Sequence, residues 1–291
     1  MMDWQQDPEL AEAARAMEHG GWTSADCAAK VAMVDDHGAG VEPIRAFKNS
    51  LSYQFENDSF ERVLLLHAAD ENRPRVGSLP VHPKVRQLLL DDFQGFAKKK
   101  KDNGPALGTS VFETCSKQAT LRRFPAGAMD WEISGVPRSW VVRAGVSEGA
   151  KLAWFLTSRL GGAKPIFFMH VALRPRNRAM VIEKEVQRAY YRMADSLRGW
   201  PESRGIVAYG WFHDPVAVKD NPHLQFLNQP YVECGGLFRL EAATPASGFA
   251  ENNPERLRQY EAGELKYHMY AALWPRAEAL AWVERHPEFN A

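Results

Sequence analysis

The sequence predicts a mixed α/β protein, with an N-terminal helical region followed by a mixed sheet flanked by helices. Three observations carry this expectation. The first hundred residues place apolar side chains at helical spacing between cap and stop signals. From Thr120 the texture changes to short β-prone runs broken by glycine and proline. From Pro165 onward, compact apolar runs alternate with helical stretches, as strands and crossover helices do. The chain has 291 residues, 45% hydrophobic and 25% charged, enough for one large domain or two small ones.

The elements follow in order. Asp7-Pro8 is a cap and a first-turn proline, and Gly20-Gly21 is the matching stop; a second helix starts at Thr23 or Ser24. Phe60 to Ala69 (FERVLLLHAA) is densely apolar, and Pro83 to Phe96 puts Val85, Leu88, Leu89 and Phe93 on one helical face. The charged run from Lys98, ending in Asp102-Asn103-Gly104-Pro105, sets the expected boundary between an N-terminal part (1–104) and an α/β part (105–291). LRRF, DWEIS and SWVVRA read as strands, and Ser147 as the cap of a helix to Leu160 closed by Gly161-Gly162. Pro165 to Ala172 is a strand covered on both faces, and Ala179 to Leu197 a helix buried along Val186, Ala189, Tyr190, Met193 and Leu197. Gly205 to Phe212 is the next strand, completing a strand–helix–strand crossover. A short helix near Pro222 to Leu227, a strand at Gly236 to Leu240, a helix at Pro254 to Ala262, a strand at Tyr267 to Trp274 and a helix at Arg276 to Arg285 complete the chain.

Composition excludes several classes. Lys plus Arg and Asp plus Glu each total 36, so no net charge holds the chain to nucleic acid or to an anionic membrane. No signal-peptide core and no membrane-length apolar run are present. Cys27, Cys115 and Cys234 are odd in number and lack CxxC spacing, which points away from a disulfide framework or thiolate zinc site and toward a reducing, cytoplasmic setting. No Walker loop, GxGxxG, HExxH or GxSxG occurs.

Candidate chemistry gathers in the second half. Trp211-Phe212-His213-Asp214-Pro215 follows a strand, the usual ligand address in an open α/β sheet, and His170 lies near the end of the preceding strand. An imidazole there is either a base toward an amine or hydroxyl or a satisfied core histidine. Asp214 before a proline reads as a turn or cap residue. His213, Asp214 and His223 also compose a two-imidazole, one-carboxylate set of the kind that holds iron or zinc. Cys234 before Gly235-Gly236 is a nucleophile or a small buried residue. Arg174, Arg176 and Arg178 precede the long helix, where guanidinium groups and helix amides hold a phosphate or stand solvated. Of the tryptophans, Trp131, Trp140, Trp154, Trp200, Trp211 and Trp274 divide between core and cleft.

Residues 167–236 resemble the C-terminal part of GNAT-like acyltransferase proteins: FFMHVAL, a helix, then GIVAYGWFHDP, a proline-containing segment and another strand. In such proteins the second strand ends in Ser/Gly-Trp-aromatic-x-Asp-Pro, here Gly210 to Pro215. The resemblance covers roughly a quarter of the chain and implies an acyl-CoA-binding fold with a splayed sheet. The family's phosphate loop carries glycines, and Arg174 to Arg178 carries none. The leading expectation is an acyltransferase moving an acyl group from a CoA or carrier thioester to an amine or hydroxyl of a small molecule, without a metal. His170 or His213 is the base, Asp214 stands beside it, and Arg174, Arg176, Arg178 and Trp211 bind the thioester co-substrate. The alternatives are a non-catalytic binding or accessory protein on the same scaffold and a metal-dependent oxygenase using His213, Asp214 and His223.

Overall fold

The structure is a computed structural model that describes residues 4–35, 40–56, 58–98, 104–171, 181–240, 250 and 253–290. It divides into two compact units, residues 1–79 with 83–125, and residues 80–82 with 126–291. The change of unit falls after Pro125, so the breakers at Gly104-Pro105 lie inside the first unit.

The first unit is helical: α1 (Pro8–His19), α2 (Ser24–Ala32), α3 (Val41–Ser50), α4 (Ser59–Val76), α5 (Pro83–Gly95) and α6 (Ser110–Ala119), ending in the short strand β1 (Arg123–Pro125). The Asp7 carboxylate accepts the amides of Glu9 and Leu10, and Thr23 and Asp26 cap each other reciprocally, as the sequence signals require. Every side chain of α4 from Ser59 to Ala69 is buried, which makes it the central helix against which α1, α2, α5 and α6 pack. That burial traps Arg62, whose guanidinium donates to the carbonyls of Phe96 and Ala97 and pairs with Glu9 at 3.6 Å and Asp58 at 3.9 Å.

The second unit runs β2 (Met129–Ser134), α7 (Ser139–Arg143), α8 (Gly145–Ser158), β3 (Ile166–Val171), α9 (Glu183–Ser196), β4 (Gly205–Gly210), α10 (Pro215–Asp220), α11 (Gln229–Glu233), β5 (Leu237–Arg239), α12 (Pro254–Glu261), β6 (Tyr270–Pro275) and α13 (Arg276–Arg285). Single turns of 3₁₀ helix occupy Trp211–His213 and, at greater length, Pro222–Leu227. Its strands stand in the order β2-β3-β4-β6-β5. The β3–β4 pair is parallel, joined through α9 as the crossover pattern predicts, and the remaining pairs are antiparallel.

Side chains alternate between two faces. Trp131, Phe167, Ile206 and Trp274 point toward α9, α11 and α13, where Tyr190 and Trp282 meet the Trp274 ring at 5.8 and 5.6 Å and Trp131 stacks on Phe167 at 3.9 Å. Glu132, Phe168, His170 and Tyr209 point to the other face, where Trp140 of α7 stacks on Tyr209 at 5.1 Å and Phe155 of α8 meets Phe238 at 5.2 Å. Gly205 has φ +152, and a Cβ there would run into the Trp274 carbonyl; glycine lets β4 begin close against β6.

Three sequence expectations are corrected. SWVVRA is helix, not strand: only Trp140 is buried while Val142 is 80% exposed, so one ring anchored on Tyr209 outweighs the β propensity of two valines. The next helix starts at Gly145, in the left-handed region at φ +75 directly behind α7, so Ser147 lies inside it and caps nothing. The long crossover helix begins at Glu183, because Ile182 is extended at φ −109; residues 179 and 180 lie outside the described residues.

Candidate active site

The site is built on the carboxyl ends of β3 and β4. Their parallel ladder pairs Phe167 with Ile206 and Phe168 with Val207, and there it ends, although the strands run on to Val171 and Gly210. On their outer sides both remain paired, β3 to β2 as far as Val171 and β4 to β6 as far as Gly210. Among the described residues, no ladder pair joins Met169–Val171 to Ala208–Gly210.

His170, expected as a base, stands half-buried beyond the last ladder pair, with Nε2 3.4 Å from a Glu132 oxygen and its ring tilted on Phe168 at 5.1 Å. Asp130 lies opposite it in register. Tyr209, on the same face, receives an Arg143 guanidinium hydrogen bond at its hydroxyl at 3.1 Å.

His213, the other expected base, closes the 3₁₀ turn that ends β4 and is fully buried. Asn228 donates its Nδ2 to the Phe212 carbonyl at 3.0 Å, which turns its Oδ1 to the ring, so His213 Nδ1 carries the proton and donates. Burial pushes the imidazole pKa down to about 4, against the Asn228 hydrogen bond. Nε2 keeps its lone pair and has no hydrogen-bond partner among the described residues. The ring packs on Tyr231, whose hydroxyl reaches the Met169 sulfur at 3.8 Å. Met169 and His170 project to opposite faces of β3, so the two histidines are turned away from each other.

Asp214 is 1% exposed and caps α10 by accepting the Val216 amide at 2.8 Å on Oδ1. The cap reading of the sequence is the structural one. Its Oδ2 accepts both the backbone amide of His268, at 2.6 Å, and His268 Nδ1, at 3.0 Å. Asn228 and His268 are the residues that sequence reasoning missed. A histidine just ahead of the apolar run that becomes β6 was the available signal for His268. Tyr270, which pairs with Gly210, has its phenol pKa raised by partial burial and then by the Asp214 charge.

Beside this turn lies a cleft of about 610 Å³ whose wall includes Glu183, His213, His223, Phe226, Asn228 and Leu237. Trp211 stands apart from it, stacked on Tyr267 at 5.6 Å in a small cluster with Ala217 and Ala250. Arg174, Arg176 and Arg178 lie outside the described residues, in the segment between the end of β3 and α9. Cys234 is buried, with its thiol pKa pushed up to about 11 by burial, a protonated packing residue at neutral pH. The proposed metal set is not assembled: Nδ1 of His213 is given to Asn228, both Asp214 oxygens hold N–H groups, and no group of three His, Cys, Asp or Glu side chains fit to hold a metal ion is found among the described residues. No helix among the described residues is long and apolar enough to cross a membrane.

No protein-family model and no curated protein matches this chain. Among solved structures, it is similar to one described as an acyltransferase in complex with decanoyl-CoA, at 13% identity and a TM-score of 0.43, over 78% of this chain and 70% of that one.

Proposed function

We propose that this protein transfers an acyl group from a CoA or carrier thioester to an amine or hydroxyl of a small molecule. The observation that supports this reading is the end of the β3–β4 ladder at Phe168 and Val207, among the described residues. An extended pantetheine arm carries amides that match strand backbone beyond the last ladder pair, in the manner of an added strand. The resemblance of residues 167–236 to GNAT-like acyltransferases implies a splayed sheet.

Arg174, Arg176 and Arg178 take the phosphates of the donor in this reading. Glu183 and Glu185 make the first turn of α9 acidic, so the guanidinium groups, more than the helix amides, supply the attraction. The acceptor's proton goes to an imidazole at the same end of the sheet.

Calorimetric titration with CoA, acetyl-CoA and decanoyl-CoA tests the reading, together with thiol release in the presence of alkylamines and alcohols. Binding at about micromolar Kd is expected, weakened tenfold or more when Arg174, Arg176 and Arg178 are all replaced by alanine. Absence of heat with every thioester overturns the reading, and binding without thiol release from any acceptor favours a non-catalytic binding protein.

A further inference from the structure

We infer that His268, held by Asp214, is the group that takes the acceptor's proton, in place of His170 and His213; this assignment rests on the acyl-transfer reading above. Asp214 is buried and, as a carboxylate, only accepts hydrogen bonds. Its Oδ2 therefore fixes the proton of His268 on Nδ1, at 3.0 Å, and makes Nε2 the ring nitrogen that carries the lone pair. The same oxygen holds the His268 backbone amide at 2.6 Å, so ring and main chain are positioned together. The side chain is 22% exposed, open enough for a substrate to reach. No partner for Nε2 is found among the described residues.

The register places this imidazole at the right end of the sheet. Tyr270 pairs with Gly210, the last residue of β4, so His268 lies just past the carboxyl end of β4, beyond the last β3–β4 ladder pair. The other two candidates lack one of these features. His213 has an amide partner rather than a carboxylate and, although it lines the cleft, is fully buried, where an imidazolium is poorly stabilised. His170 Nε2 stands 3.4 Å from Glu132 but makes no hydrogen bond among the described residues, so that carboxylate does not fix its tautomer.

The step balances without a further reactant. The acceptor nitrogen or oxygen attacks the thioester carbonyl carbon as His268 Nε2 takes its proton. The tetrahedral adduct collapses, the carbon–sulfur bond breaks, and the departing thiolate takes that proton from the imidazolium. An amide or ester and a free thiol result, and His268 returns to its starting form. Asp214 is the positioning residue: its charge stabilises the transient imidazolium and its oxygen fixes the tautomer.

The test uses the full chain with decanoyl-CoA and n-hexylamine, reading thiol release, calorimetric Kd and diethyl pyrocarbonate labelling of each histidine. His268→Gln is expected to lower kcat at least 100-fold with the decanoyl-CoA Kd unchanged. Asp214→Asn should share that loss and move the His268 proton from Nδ1 to Nε2, visible in the imidazole ¹⁵N shifts. Decanoyl-CoA should protect His268 from labelling. Full turnover by His268→Gln overturns the assignment. So does a wild type that binds decanoyl-CoA while His268 stays fully reactive, whether or not hexylamine is accepted. A wild type that binds no thioester removes the acyl-transfer reading itself, and the assignment falls with it.

Discussion

The β3–β4 pair is closed at one end and open at the other, and its two ends are made of different residues. At the closed end Ile166, Phe167, Ile206 and Val207 are all fully buried, and Trp131 stacks on Phe167 at 3.9 Å. Phe167 and Phe168 pair there with Ile206 and Val207, and apolar packing holds the strands together. At the open end stand His170, Tyr209 and Gly210, followed by His213, Asp214 and, from the next strand over, His268. Side-chain hydrogen bonds join the packing there: Asn228 fixes one imidazole and Asp214 another. Apolar packing and polar side chains are thus divided along the length of two strands, and the proposed chemistry falls at the polar end.

That division is best broken where the closed half is packed hardest. Trp274→Ala should cost about 3 to 5 kcal/mol, because the indole is 1% exposed and lies among Tyr190, Tyr231 and Trp282. Urea unfolding should show a lower midpoint at unchanged slope. An effect under about 1 kcal/mol would show that packing does not hold this half of the sheet.

The open half should reveal itself through pH. His213 is neutral in the folded protein, with its pKa depressed by burial to about 4, and an ordinary imidazole in the unfolded chain titrates near 6.5. Between those values the unfolded chain binds the extra proton. The contribution is therefore complete above pH 6.5 and is lost as pH falls toward 4, by roughly 3 kcal/mol in all. His213→Gln should flatten that part of the stability–pH curve, and an unchanged slope would mean that His213 is solvated.

Smaller effects sharpen the contrast. Asp214→Ala should destabilise by about 2 kcal/mol, since it strips partners from the Val216 and His268 amides. His170→Ala should cost less than about 1 kcal/mol by thermal or urea unfolding, because its Glu132 pair is partly solvated. A larger loss at His170 than at Asp214 would reverse the roles assigned to the two carboxylate–imidazole pairs.

The closed half is also the half the sequence makes easy to read. Phe167, Ile206 and Trp274 sit in short apolar runs whose period needs no tertiary information, and the Asp7, Thr23 and Asp214 caps act on amides two or three residues away. SWVVRA was misread because its conformation is decided by Trp140 resting on Tyr209, a contact 69 positions distant. The contacts around the candidate site are non-local in the same way. His268 is joined to Asp214 across 54 residues and His213 to Asn228 across 15, so no local spacing marks either pair. The adjacency of His170 and His213 that parallel strands suggest is undone by the pleat, which turns neighbouring side chains of β3 to opposite faces.

The central claim, that the opening between β3 and β4 receives a thioester, is tested most directly by hydrogen exchange of peptides covering Ile166–Val171 and Gly205–Gly210, with and without saturating decanoyl-CoA. Slowed exchange at 169–171 and 208–210, with little change at the already paired residues 167, 168, 206 and 207, is the result the account predicts. Unchanged exchange at the open end, in a protein that binds the thioester by calorimetry, would place the donor elsewhere and contradict it.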